Sequence, residues 1–530
     1  MTISCKPQYD MIIRNGLIYD GSGGKPYRAD IAVQDDKIVM IGNLADYEAT
    51  EEIDASNLAV CPGFINSLSW AAESLLEDGR SMSDIKQGVT LEVFGEGVSM
   101  GPLNPAQLDS DTSLITLGQH LQYMEKKGVS TNIASFVGAT TVRIHVLGYD
   151  DRQPTAEELK RMKALVNQAM EEGALGVGAS LIYPPATYSS TNELIALAEA
   201  AAAYRGIFIV HLRSEGNKLL EATDELITIA KQANIVAEIY HLKAAGVNNW
   251  HKMPILLNKI DSAKAQGISI TADMYNYSAA STGLSACVPT WSQDGGDAAW
   301  LKRLNDPVIA EKIIKDMENP AADWENFLTL AGKPENIFVL DCKNDSLRKF
   351  MGKNLAQVAT MMSLSPAKTI VELIRRNGED LEAAFFLMSD DNILTQIKLP
   401  YISFVSDARS IAAEGKNLAS STHPRTYGNF ARLLGKYVRN EKVISLEEAI
   451  YKLSKLPATK LHLSNRGELA KGYFADIVIF NPATIGDKAT YENPHQYAEG
   501  VLHVFVNGTQ VLKNGEHTGK FPGRFVKRAE

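Results

Sequence analysis

Over residues 1–60 the apolar positions come in short runs broken by Gly, Asp and Asn: YDMIIRNGLIYDGSG, ADIAVQDDKIVMIG and EEIDASNLAVCPG. Short apolar runs between turn formers predict β-strands. Residues 466–530 repeat the rhythm in GYFADIVIFNPATI and GVLHVFVNGTQVLKNGE, where Asn507-Gly508 predicts a tight hairpin. Two β-rich ends around a long middle predict a small composite β-sandwich built from 1–60 plus 466–530.

The middle, 61–465, changes period. Strand-like runs recur at 61–66, 89–96, 131–138, 174–180, 206–211, 235–241, 268–275 and 401–407, and helical patterns separate most of them. The clearest helix is TAEELKRMKALVNQAMEEG. There Thr155 and Glu158 form a capping box, Leu159, Met162, Val166 and Met170 share a face, and Gly173 marks the end. Eight strands alternating with helices predict an α/β fold, a (β/α)8 TIM barrel. The stretch between Tyr275 and Tyr401 is far too long for a loop. It carries helical patterns of its own, DPVIAEKIIKDMEN and SPAKTIVELIRRNG, and predicts an insertion at about 285–397 after strand seven.

Composition narrows the setting. The 530 residues are 45% hydrophobic and 22% charged, with a net charge of −10, which suits a globular chain and disfavours a nucleic-acid partner. No apolar run is long enough to span a bilayer, and no signal pattern is visible at the start, so no membrane association and a cytoplasmic setting are expected. Cys5, Cys61, Cys287 and Cys342 are scattered without a CxxC pair and are expected to be reduced thiols.

Barrel enzymes carry their catalytic groups at the C-terminal ends of strands. Glu96, His211, His241 and Asp407 each fall at such an end, in a chain with only ten histidines. Each alone is equally consistent with packing or hydrogen bonding at a barrel rim; the four together point to a site. Two imidazoles and a carboxylate form a zinc-type ligand set with an open fourth position. A divalent metal there lowers the pKa of water to about 7. Asp407 is then placed as general base, returning the proton to a departing amine. The chemistry expected is hydrolysis of an amide.

These residues lie within stretches that resemble the D-aminoacylase (N-acyl-D-amino-acid deacylase) family of the amidohydrolase superfamily over nearly the whole chain. The resemblance rests on DMIIRNGLIYDGSG, PGFIN, GVTLEVFGEG, ALGVGASLIYPPATY, HLRSEG, IYHLKAAG, DMYNYSAASTGL, FVSDARS, STHPRTYGNFARLLGKY, GELAKGYFADIVIFNP and GKFPGR. It implies hydrolysis of N-acyl-D-amino acids, small molecules, with metal ligands at His211 and His241 and the catalytic aspartate at Asp407. It also implies that Lys243, Tyr275, Ser281 and Arg425 grip the substrate's α-carboxylate.

Two departures qualify this. Where the family's first strand carries a His-x-His pair for a second metal, this chain has Leu68 and Trp70, which cannot ligate; Trp70 is expected to fill the vacated space. Where the family commonly has a cysteine ligand, this chain has Glu96, a harder donor that suits zinc and discriminates less against manganese, iron or cobalt. Members of the superfamily that lack the His pair work with one metal on Glu, His and His beside an Asp, so one divalent metal, zinc first, is expected here. Two other readings stay open: a metal-free, non-catalytic scaffold, and an amidohydrolase acting on another amide, such as a dipeptide ending in a D-residue, a cyclic amide or an acylated amino sugar. Oligomeric state has no handle in the sequence.

Overall fold

The computed structural model describes residues 8–104, 114–321, 323–378 and 381–528. Eight parallel strands run in chain order: Phe64–Asn66, Val89–Phe94, Asn132–Ser135 (resuming as Val137–Gly138), Gly176–Ser180, Ile207–His211, Val236–Ile239, Ile270–Met274 and Ile402–Phe404. Neighbours in sequence are neighbours in the ladder. The last strand returns to the first. Ser69 and Ala408 form a parallel bridge, and the Asp407 N–H donates to the Leu68 carbonyl at 3.0 Å. Asn66 and Ser406 exchange hydrogen bonds of 2.8 and 2.9 Å across the same seam. This is a closed barrel. Its strands are buried on both faces, which is why they read as continuous apolar runs rather than alternating ones.

The helices follow their sequence signals. Ala156–Glu172 starts at Thr155, whose side chain accepts from the Glu158 N–H, and ends at Gly173 in the left-handed region. Met162, Val166 and Met170 are buried on its inner face, joined by Ala169.

Strands from both ends of the chain join one nine-stranded sheet, with Ile477–Phe480 antiparallel to Ala59–Pro62 at the junction. Alternate residues of Gln8–Ile18 serve different cores: Met11 and Ile13 pack with Ile31, Val33 and Ile477, and Ile12 packs with Ala32 and Leu44. The predicted hairpin is present, with Asn507 and Gly508 at φ 49° and 77° between Val506 and Thr509.

One expected strand is divided. The run 61–66 splits at Gly63, with Ala59–Pro62 in the terminal sheet and Phe64–Asn66 in the barrel. A Cβ on Gly63 would sit 2.0 Å from Thr90 Oγ1, so only glycine lets the chain pass from one sheet to the other.

Between strands seven and eight lies a subdomain with a three-stranded antiparallel sheet, Ala279–Gly283, Glu382–Phe386 and Ile337–Asp341. Helices Asp297–Asn305, Pro307–Met317, Leu355–Met362 and Pro366–Asn377 cover it. Trp300, Ile313, Phe327 and Phe385 fill a core of its own. Its first strand begins at Ala279, ahead of residue 285, because that strand pairs with Glu382–Phe386. Among the described residues no helix is long and apolar enough to cross a membrane.

Candidate active site

The carboxyl ends of strands two, five, six and eight deliver Glu96, His211, His241 and Asp407 to one place. Glu96 sits between Gly95 and Gly97, at φ 105° and 72°. A Cβ on Gly97 would lie 2.7 Å from the Ser180 Cβ, so the turn that presents Glu96 requires glycine there. His241 and Asp407 themselves adopt left-handed backbone, at φ 34° and 48°. The His241 N–H donates to Asp273 Oδ1 at 2.5 Å, which locks the turn after strand six. Non-glycine residues held in this region require support from their surroundings, and both have it.

Glu96 Oε1 lies 3.2 Å from His211 Nδ1 and 2.9 Å from His241 Nε2. The three residues are buried, and their donor atoms all fall within 4.8 Å of one another. Two imidazole nitrogens and a carboxylate oxygen converging on one point have the composition of a catalytic zinc site. The residues present therefore fit one divalent ion.

Behind the histidines sits Glu215, from the HLRSEG stretch, a residue that no strand-end pattern singles out. Its Oε2 is 3.4 Å from His211 Nε2, and its Oε1 is 3.1 Å from His241 Nδ1 and 2.7 Å from Lys243 Nζ. Carboxylates behind metal-binding histidines fix the ring orientation and tautomer. Lys243 Nζ also lies 2.6 Å from His241 Nδ1. Burial pushes the Glu215 carboxyl up, but His211, Lys243 and His241 together hold it well below the usual range. Burial likewise raises Glu96, and His241 and His211 outweigh it, keeping Glu96 ionised. Burial and Lys243 lower His241; Glu215 and Glu96 prevail and raise it to about 10.

Asp407 Oδ2 is 2.8 Å from Arg425 Nη1, and Oδ1 accepts from the Trp70 indole N–H at 3.1 Å. Burial raises the Asp407 carboxyl despite Arg425 beside it. The same indole N–H lies 3.0 Å from Glu96 Oε2. Trp70 thus lies against the site and bonds two carboxylates through one N–H. Leu68 is turned into the barrel core.

The four residues assigned to the substrate carboxylate are distributed unevenly. Lys243 and Arg425 are buried, and both flank the Tyr275 ring, at 5.6 and 4.4 Å from its centre. The Tyr275 hydroxyl is buried without a hydrogen-bond partner. Ser281 is reached only through its carbonyl, 3.4 Å from Arg425 Nη2; its hydroxyl donates instead to Glu382 at 2.7 Å. Tyr183, from the LIYPPATY stretch and given no role in the sequence reading, packs edge-on against His211 with ring centres 5.6 Å apart.

Similarity to known proteins runs over the whole chain. Residues 420–512 match the pattern of the Amidohydrolase family. The chain is 30% identical to D-aminoacylase of Alcaligenes xylosoxydans xylosoxydans, over 100% of this chain and 99% of that one. A crystal structure of N-acyl-D-glutamate deacylase from Bordetella bronchiseptica, holding zinc and a phosphonate mimic of the tetrahedral intermediate, superposes with a TM-score of 0.82. It shares 26% identity over 98% of this chain and 100% of that one. A D-aminoacylase structure described in terms of one-metal activation and second-metal attenuation gives 0.82, with 27% identity over the same shares. With that similarity running end to end, the chain belongs to the D-aminoacylase family of amidohydrolases, enzymes that hydrolyse amides.

Proposed function

We propose that this enzyme hydrolyses the amide bond of N-acyl-D-amino acids, using one divalent metal, zinc first, on Glu96, His211 and His241. The observation that carries the reading is the convergence of these three donors beside a buried Asp407 at the mouth of the barrel. When bound, the metal supplies Lewis acidity and brings the pKa of a water into the neutral range. The remaining chemistry belongs to the chain.

Asp407 takes the proton of the attacking water and passes it to the leaving nitrogen, which without protonation does not depart. Arg425 and the Trp70 N–H fix its two oxygens, so the carboxylate meets the substrate in a set orientation. Tyr275, with a hydroxyl lacking a partner and two cations near its ring, marks the region that receives the substrate's α-carboxylate. Arg425 offers that carboxylate a fork and Lys243 a point charge. Ser281 lines the same region through its backbone. An extended substrate with a free carboxylate suits these cations better than a cyclic amide.

The chain is accordingly divided into a composite β unit of 1–60 with 466–530, supported by the pairing of Ile477–Phe480 with Ala59–Pro62, and a barrel of 61–465 carrying the insertion of about 285–397.

The test is a paired assay of N-acyl-D- and N-acyl-L-amino acids with apolar, acidic and basic side chains, following release of the free amino group. The D-series should exceed the L-series in kcat/KM by about 100-fold or more, since one set of charges must fix the carboxylate while the amide meets the metal. Equal rates for the two series, or hydrolysis of neither, would overturn the reading.

A further inference from the structure

Trp70 is an unusual neighbour for this site. The ring is 42% exposed at the barrel mouth, yet its one polar atom is aimed inward. The indole N–H is 3.0 Å from Glu96 Oε2 and 3.1 Å from Asp407 Oδ1, shared between two carboxylates. An indole nitrogen can only donate, so the contact has one polarity. Glu96 uses its other oxygen, Oε1, to face His211 and His241. Asp407 uses its other oxygen, Oδ2, to face Arg425. Each carboxylate therefore has one oxygen committed to chemistry or charge pairing and one held by Trp70.

The backbone keeps the indole there. The Trp70 N–H donates to the Ala408 carbonyl at 2.9 Å, and the Ser69 N–H to the Val93 carbonyl at 2.8 Å. Ser69 in turn donates through its hydroxyl to buried Glu92. The segment is pinned between the second and eighth strands, the two that present Glu96 and Asp407.

We infer that Trp70 is a positioning residue: its indole N–H ties the metal-ligand carboxylate of Glu96 to the proton-transferring carboxylate of Asp407 and fixes the distance between them. As a neutral donor the indole N–H orients those oxygens without adding charge. The inference rests on the proposed single-metal reading of Glu96, His211 and His241.

Trp70→Phe keeps the ring and removes the N–H, and the half-exposed position makes misfolding a small risk, checked by an unchanged thermal midpoint. Two quantities are read: zinc affinity of the metal-stripped protein, by competition with a chromogenic chelator, and kcat and KM on an N-acyl-D-amino acid. Removing a group that orients a ligand typically weakens metal affinity or activity by about 10–100-fold. The variant should lose about 10-fold in zinc affinity and about 10-fold in kcat, with KM within about two-fold. Zinc affinity equal to the parent's would overturn the tie to Glu96. An unchanged kcat, or a loss confined to KM, would overturn the tie to Asp407 and leave Trp70 as a wall of the pocket. Failure of the parent itself to bind zinc would count against the metal reading instead, so the two failures are separable.

Discussion

Asp407 is held from both sides, by Arg425 on one oxygen and Trp70 on the other, while Glu96, His211 and His241 form a group of their own beside it. On the proposed reading, ligand and proton carrier are separate residues that mutation can separate. Asp407→Asn should keep the metal, read by elemental analysis, and lose at least about 100-fold in kcat, in line with removal of a general base. Comparable turnover in that variant would move the proton transfer elsewhere. At this scale the sequence was legible where a polar residue ended an apolar run: Glu96, His211, His241 and Asp407 all stood out that way. Glu215 did not, because it lies in the loop after its strand and two of its partners, His241 and Lys243, come from the segment after the next strand. The indole contact of Trp70 was hidden for the same reason; the sequence showed a bulky residue in the place of a ligand, but hydrogen-bond direction is a property of the fold.

The elements present these residues through backbone that few sequences tolerate. Gly97 combines a left-handed φ with a Cβ position already taken by Ser180, just after Glu96. Gly97→Ala should strain that turn by about 1–2 kcal/mol and displace Glu96. The expected result is reduced zinc occupancy in a protein whose circular dichroism is unchanged; full occupancy would show that the turn adapts. Helix Ala156–Glu172 was readable to the residue because its capping box, apolar face and terminal glycine act locally. The division of 61–66 between two sheets was not, since the apolar run is continuous and the two halves differ only in the distant strands they pair with. The subdomain's edge strand at Ala279–Gly283 carries no local signal either: its partner, Glu382–Phe386, lies far along the chain.

At the scale of the whole molecule, the subdomain after strand seven is fastened to the site. Glu325, partly buried, accepts from the Ser214 hydroxyl at 2.6 Å and from the Glu215 N–H at 2.8 Å, beside the carboxylate that backs both histidines. Burial, with the neighbouring Glu215 charge adding to it, pushes the Glu325 carboxyl up from 4.5 to about 7. The unfolded chain loses this proton near 4.5 and the folded chain holds it to about 7, so its stabilising contribution is complete below 4.5 and is lost as pH rises through that window. Chemical denaturation of the parent against Glu325→Gln should therefore show a parent stability that falls relative to the variant between pH 4.5 and about 7. Parallel curves across the window would mean that the carboxyl ionises freely in the fold.

The central claim joins the metal, its three ligands and the chemistry, and a zinc titration of the metal-stripped enzyme tests it most directly, with N-acyl-D-amino acid hydrolysis as the signal and Glu96→Ala alongside. The account predicts activity that rises linearly and stops at one zinc per chain, with no rise in the variant. Full activity without metal, or a rise that continues to two equivalents, would contradict it.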